Sequence, residues 1–278
     1  MTLIRIELSK VFSRPRSYIG FVVIAVIGAI LLTGLSIDGQ QYIQLLLQQL
    51  EHYVVIRGKI INGSLGAWIV LQTLIVHMPL LTALVAGDLI SGEAASGTLR
   101  LLATRPPSRR AIVHSKFIAA ACYSAALVGW LGIVAWGGGW LLMGSGDLLV
   151  LSTDRLIILP AHDLWWRFAL ALVLATLALT TVSALALWFS VMAENSVGPI
   201  VATISVVVLF TIIGTMEFPL FQRISPVLFT THMAVWRELF YPELEFKRIV
   251  ISVAVLLGHI AVFIALATYL FSRKDILT

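Results

Sequence analysis

The sequence predicts an all-α integral membrane protein with six transmembrane helices, and three observations predict it. First, 59% of the 278 residues are hydrophobic, 12% are charged and the mean hydropathy is +0.99, which leaves too little polar surface to cover a soluble globule. Second, six apolar stretches are each long enough to cross a hydrocarbon core of about 30 Å. Third, Lys and Arg gather at the ends of these stretches, and no Asp, Glu, Lys or Arg falls near the middle of one. The lone Cys122 excludes an intrachain disulfide and a multi-cysteine metal site. A pI near 9.6 raises the question of nucleic acid, but no basic surface is interleaved with aromatics. The expected partner of the positive charge is an anionic leaflet, with no nucleic acid.

Residues 1–17 place Leu3, Ile4, Leu8, Val11 and Phe12 on one side of a helix and Arg5, Glu7, Ser9 and Lys10 elsewhere. This is the pattern of a short interfacial helix, ended by Pro15. The first span, Tyr18 to Ile37, follows four basic residues and has no small-residue cleavage pattern after it, so it reads as an uncleaved span. Asp38-Gly39 is expected to end it. Gln41, Gln44, Gln48 and His52 then recur at helical spacing beside Tyr42, Leu45, Leu46 and Leu50. They describe an amphipathic helix at the opposite interface, either a connector or a lateral lip of a substrate path. The second span, Ser64 to Gly87, contains His77-Met78-Pro79, where the proline removes a backbone hydrogen bond and kinks the helix. His77 and, in the last span, His259 have no acidic or histidine neighbour at helical spacing and read as packing residues.

Residues 88–111 form the longest polar interruption of the first half. They read as a short helix between two breaks. Ser96 or Thr98 supplies the N-cap, Leu99 and Leu102 supply an apolar side, and Pro106-Pro107 stops the helix. Ser108 caps the next helix, whose first turn holds Arg109 and Arg110. The macrodipole disfavours positive charge there, so an outside partner such as lipid phosphate or an acidic protein surface is expected to hold both. A solvated loop that only fixes topology is the plainer alternative.

The run Glu93, Gly97-Thr98-Leu99, Leu101-Leu102, Pro106, Arg109 and Lys116 resembles the loop between the first two helix pairs of type-2 ABC exporter permeases. The resemblance implies that 88–111 carries a coupling helix docked on a separate ATPase, with Glu93, Gly97, Thr98, Leu99, Leu102, Pro106, Arg109 and Lys116 as the coupling residues. It implies also that 1–17 is an elbow helix on the cytoplasmic leaflet, supported more weakly by Glu7-Leu8 and Arg14-Pro15-Arg16.

The third span, Ile112 to Met143, ends in Gly137-Gly138-Gly139, a break or a tight crossing. The loop Gly144 to His162, with Asp147, Asp154 and Arg155, reads as solvated. The fourth span begins at Asp163 or Leu164 and ends near Met192. Ala193 to Ser196 is a short turn in which Glu194 is either solvated or a partner contact. Gly198-Pro199 opens the fifth span, which ends near Met216. Residues 217–248 combine apolar runs with Pro219, Pro226 and Pro242, as short helices dipping into an interface do. In the resembled family this position holds re-entrant outer helices. The last span is Ile249 to Phe271.

Six spans put both termini on one side. With that side inside, eleven Lys and Arg lie within (Arg5, Lys10, Arg14, Arg16, Arg100, Arg105, Arg109, Arg110, Lys116, Arg273, Lys274) and eight outside, so both termini are expected in the cytoplasm of a cell inner or plasma membrane.

The whole chain, 1–278, reads as one permease domain. No phosphate loop exists, since Gly58-Lys59 is followed by Ile60 and lacks the leading glycine. No nucleophile–base pair or ligand cluster is in register, so no catalytic, cofactor or metal residue is assigned. The resemblance implies the membrane subunit of an ATP-driven exporter. It pairs with a second permease subunit and with an ABC ATPase that carries ATP and Mg. A mechanical relay to a periplasmic partner, or an ion-coupled secondary transporter, are the alternatives.

Overall fold

The computed structural model describes residues 2–47, 60–98, 108–151 and 156–274. Within them six helices are long and apolar enough to cross a membrane. The bundle has two ends. A near end gathers Glu7, Glu93, Lys116, Val191 and Lys274, and a far end gathers Asn62, Gly144, Asp147 and Ala161.

At the near end α1 (Thr2–Ser13) turns into α2 (Pro15–Leu47). Pro15 opens α2, where its missing N–H costs nothing. Ser17 holds the corner by donating to the Val11 carbonyl at 2.5 Å, and Tyr123 donates to the Ser17 carbonyl at 3.0 Å. The expected stop at Asp38-Gly39 does not occur, because α2 runs on to Leu47. One interior glycine costs about 1 kcal/mol against alanine, too little to break a long helix whose other residues propagate it. Gln48 and His52 of the expected amphipathic segment lie outside the described residues.

The second span is longer than the sequence reading and comes in three pieces: α3 (Gly63–Ile75), α4 (Met78–Ala86) and α5 (Asp88–Ala95). The break at Val76-His77 is the kink expected from Pro79. His77 does not pack between helices. It is exposed, with Nδ1 2.9 Å from the Thr73 carbonyl oxygen left over by the kink. His259 does pack, against the rings of Phe229 and Phe263.

The third span is α6 (Arg109–Gly132), a π turn (Ile133–Gly137) and α7 (Gly138–Met143). Of the three glycines Gly139 makes a tight crossing: a Cβ on it would stand 2.6 Å from the Gly63 carbonyl oxygen, and one on Gly63 equally close to Gly139, whereas the Cβ position of Gly137 has nothing within 4 Å. In a bilayer such backbone approach replaces the hydrophobic effect as the source of helix association. Gly139→Val is therefore expected to lower stability by roughly 3 kcal/mol or to force the crossing apart. Equal denaturation midpoints for variant and parent in detergent would contradict the crossing.

The loop read as solvated is instead an antiparallel hairpin, β1 (Leu148–Leu151) and β2 (Leu156–Leu159), with Leu148, Val150, Ile157 and Leu159 buried. The two all-apolar quartets account for the pairing, and Asp154 and Arg155 lie outside the described residues. Asp147 stays exposed, as read, while its Oδ1 accepts from the Ala161 N–H at 2.8 Å.

The longest element of the second half, α8 (Ala161–Met192), forms the middle of the bundle. Its apolar window is 67% buried, against 17–22% for α2, α9 (Val197–Thr215) and α12 (Phe246–Arg273), whose outer faces remain for lipid or partner. Ser124 and Ser183 join α6 to α8 at 2.9 Å. Between α9 and α12 lie two short helices, α10 (Pro219–Ile224) and α11 (Phe229–Met233), and two 3-10 turns, Ser225–Val227 and Val235–Phe240. Arg167 of α8 clamps the second turn. Its side chain is buried, donates to the Leu239 and Tyr241 carbonyls at 2.5 and 2.8 Å, and pairs with Asp163 at 2.8 Å.

Candidate functional site

The near end is built around two acidic residues that the sequence reading placed in a loop. Asp88 and Glu93 belong to α5 and are buried, at 5% and 3% exposure. α5 can follow α4 after the Gly87 turn because Ser190 of α8 serves its start. The Ser190 Oγ accepts from the Ile90 and Ser91 N–H groups at 3.1 and 2.9 Å, two donors that the previous turn no longer satisfies.

Glu93 is one corner of a closed ring of four charges. Glu7 Oε1 and Glu93 Oε1 lie 2.8 and 2.9 Å from Lys10 Nζ, and Glu7 Oε2 and Glu93 Oε2 lie 2.9 and 2.7 Å from Lys116 Nζ. The Lys116–Glu93 leg is a charge contact without an aligned hydrogen bond. The ring ties α1, α5 and α6 together across 83 and 109 residues of sequence. Lys116, Glu7 and Glu93 are sealed from solvent and only Lys10 opens outward. Burial by itself would push the Lys10 ammonium down. The hydrogen bonds and charges of Glu7 and Glu93 outweigh it and hold the group above its ordinary 10.5. Its contribution is therefore fully present at neutral pH and is lost only as pH rises beyond that value. Desolvating four charges offsets most of their attraction, so the ring supplies fixed geometry more than net stability.

Beside the ring, Asp88 Oδ2 takes the Nη1 groups of both Arg14 and Arg16 at 2.9 Å. Gly92 makes the room, since a Cβ there would collide with the Asp88 carboxylate.

Gly97 follows the end of α5 with φ +71°, in the left-handed region that any other residue enters at a cost of about 1–2 kcal/mol. Nothing lies within 4 Å of its Cβ position, so the requirement is a tight turn and not a close approach. Ser96 and Thr98 both direct their hydroxyls to the Glu93 carbonyl at 3.3 Å, closing the end of α5. The N–H groups that an N-cap would serve, together with Leu99, Leu102 and Pro106, lie outside the described residues. Ser108 caps α6 as expected, accepting from the Ala111 N–H at 3.2 Å. Arg109 needs no outside partner. It donates to the Phe271, Ser272 and Lys274 carbonyls at 3.4, 3.1 and 2.7 Å, placing its charge at the negative end of α12. Arg110 is exposed.

The structure thus joins Glu93 and Lys116 directly, sets Gly97 and Thr98 just beyond them, and anchors Arg109 to the last span. Sequence reasoning missed Glu7, Lys10 and Asp88 as parts of this site. A signal existed at Lys116: it shares the apolar side of α6 with Val113 and Ala120 and has no acidic residue within a turn, so a distant carboxylate had to meet it. Among the described residues no group of three or more His, Cys, Asp or Glu is placed to hold a metal ion.

No curated protein matches the chain. The model of one family, described as ABC-2 family transporter protein, matches residues 1–276. Six spans, an N-terminal helix locked to the ends of the second and third, and a match of this length lead to one conclusion: the chain belongs to the ABC-2 family of transporter membrane subunits.

Proposed function

We propose that this permease moves a substrate outward across the membrane, driven by a separate ABC ATPase that docks on the segment following Ala95. The membrane subunits of this family have no catalytic activity of their own and work with an ABC ATPase. ATP and Mg act on that partner. Two permease subunits, identical or related, pair with two ATPase subunits in the inner or plasma membrane, with both termini and the 88–111 loop in the cytoplasm.

The observation that carries this reading is the charge ring. It fixes α5 and the start of α6, the two helices flanking residues 99–107, to each other and to α1. A push on the intervening segment is then delivered to three elements at once instead of being absorbed by a loose loop.

The test is co-purification of the ATPase with permease variants. Leu99→Asp puts a charge on the expected apolar side of the docking helix and should cost on the order of several kcal/mol if that side is desolvated in the complex. Recovered ATPase should fall at least tenfold, with Glu217→Gln at the exposed far end as a neutral control. Gly97→Trp should lower ATPase stimulation through the strained turn, whereas Ala95→Ser should not. Wild-type recovery of the ATPase by Leu99→Asp would refute docking at this loop.

A further inference from the structure

Arg14, Arg16 and Asp88 line a cleft of about 560 Å³ with Pro15, Gly92, Ser96 and Ser196, and we propose that it binds the phosphate of an anionic lipid headgroup. The two arginines flank Pro15, the first residue of α2, so they stand where the first span enters the bilayer. Each guanidinium has five N–H donors, and the described ion pairs use Nη1 of each on the same carboxylate oxygen.

The Asp88 side chain is 7% exposed while those of Arg14 and Arg16 are 37% and 48% exposed. The arginines therefore cover the carboxylate, and both line the cleft with donors beyond the one that each spends on Asp88. The three groups sum to one positive charge, which matches the single negative charge of a phosphodiester. The planar donor fork of arginine fits phosphate oxygens in pairs.

The surface beyond the cleft favours a lipid over free phosphate. Ile19, Val22, Val26 and Ile30 are exposed along one side of α2, beginning one helical turn past Arg16. This apolar stripe runs from the cleft towards the far end and gives acyl chains a track. A lipid seated there braces the α1–α2 corner against α5, next to the charge ring.

The experiment measures lipid retained by the purified permease without any ATPase, so its outcome is independent of the docking reading. The chain is equilibrated with vesicles of phosphatidylglycerol or phosphatidylcholine, and bound lipid is counted by native mass spectrometry. Wild type should prefer phosphatidylglycerol. R14Q/R16Q should reduce that preference roughly thirtyfold, at about 1 kcal/mol for each basic residue near the surface. R223Q, an exposed arginine at the far end and outside the cleft, should leave it unchanged. D88N removes the neutralising carboxylate and should raise the preference about fivefold. That gain keeps the idea testable if the double variant fails to fold. Unchanged preference in both R14Q/R16Q and D88N would overturn the site. Displacement of the lipid by millimolar inorganic phosphate would overturn its assignment to lipid.

Discussion

Lys116→Met should lower the unfolding free energy by about 3–5 kcal/mol, because it removes one charge from a buried ring and leaves two carboxylates facing the single ammonium of Lys10. Lys116 is fully buried, so water cannot take over its role. Adding Glu93→Gln restores balance, with Glu7 and Lys10 left as a pair. The double variant should regain most of the loss, and the two substitutions should couple by about 1–3 kcal/mol in a double-mutant cycle. Denaturation of the four proteins in one detergent measures this. A loss below about 1 kcal/mol for Lys116→Met alone would mean that the ring does not close.

Arg167→Gln should cost roughly 3 kcal/mol, since the Leu239 and Tyr241 carbonyls lose a charged donor and Asp163 loses its ion-pair partner. The effect should be local as well as global. Amide exchange in Val235–Phe240 should accelerate by at least tenfold, while exchange in the middle of α8 should keep its wild-type rate. Trp236, Leu239 and Phe240 are buried under this clamp, so their release would open the far end between α8 and α12. Unaltered exchange in that turn would show that apolar packing alone holds it.

The spans were legible because bilayer length and prolines act locally. Pro15 starts α2, Pro79 marks the α3–α4 kink, and Gly139 of the glycine triplet marks the crossing with Gly63. Errors arose where a tertiary partner overrides a local signal. Asp88 and Glu93 look like loop residues until Arg14, Arg16 and Lys10 are brought to them from more than seventy residues earlier and Lys116 from the following helix. Arg109 sits at the wrong end of its own helix and the right end of α12, which no inspection of α6 alone reveals. In the hairpin, the apolar quartets 148–151 and 156–159 pair as strands in a stretch whose charges alone suggested a solvated loop. Of the eight expected coupling residues, Glu93 and Lys116 meet in one cluster, while Leu99, Leu102 and Pro106 fall outside the described residues.

Two carboxylates and two ammonium groups make the Glu7–Lys10–Glu93–Lys116 ring electrically neutral as a unit. Displacing one net charge through a potential of 100 mV takes about 2.3 kcal/mol. A neutral quartet that moves together performs none of that electrical work. The ring therefore adds no net gating charge to a motion that passes through α1, α5 and α6, and any voltage dependence of that motion has to come from charges outside the ring, such as Arg5, Arg109 and Arg110.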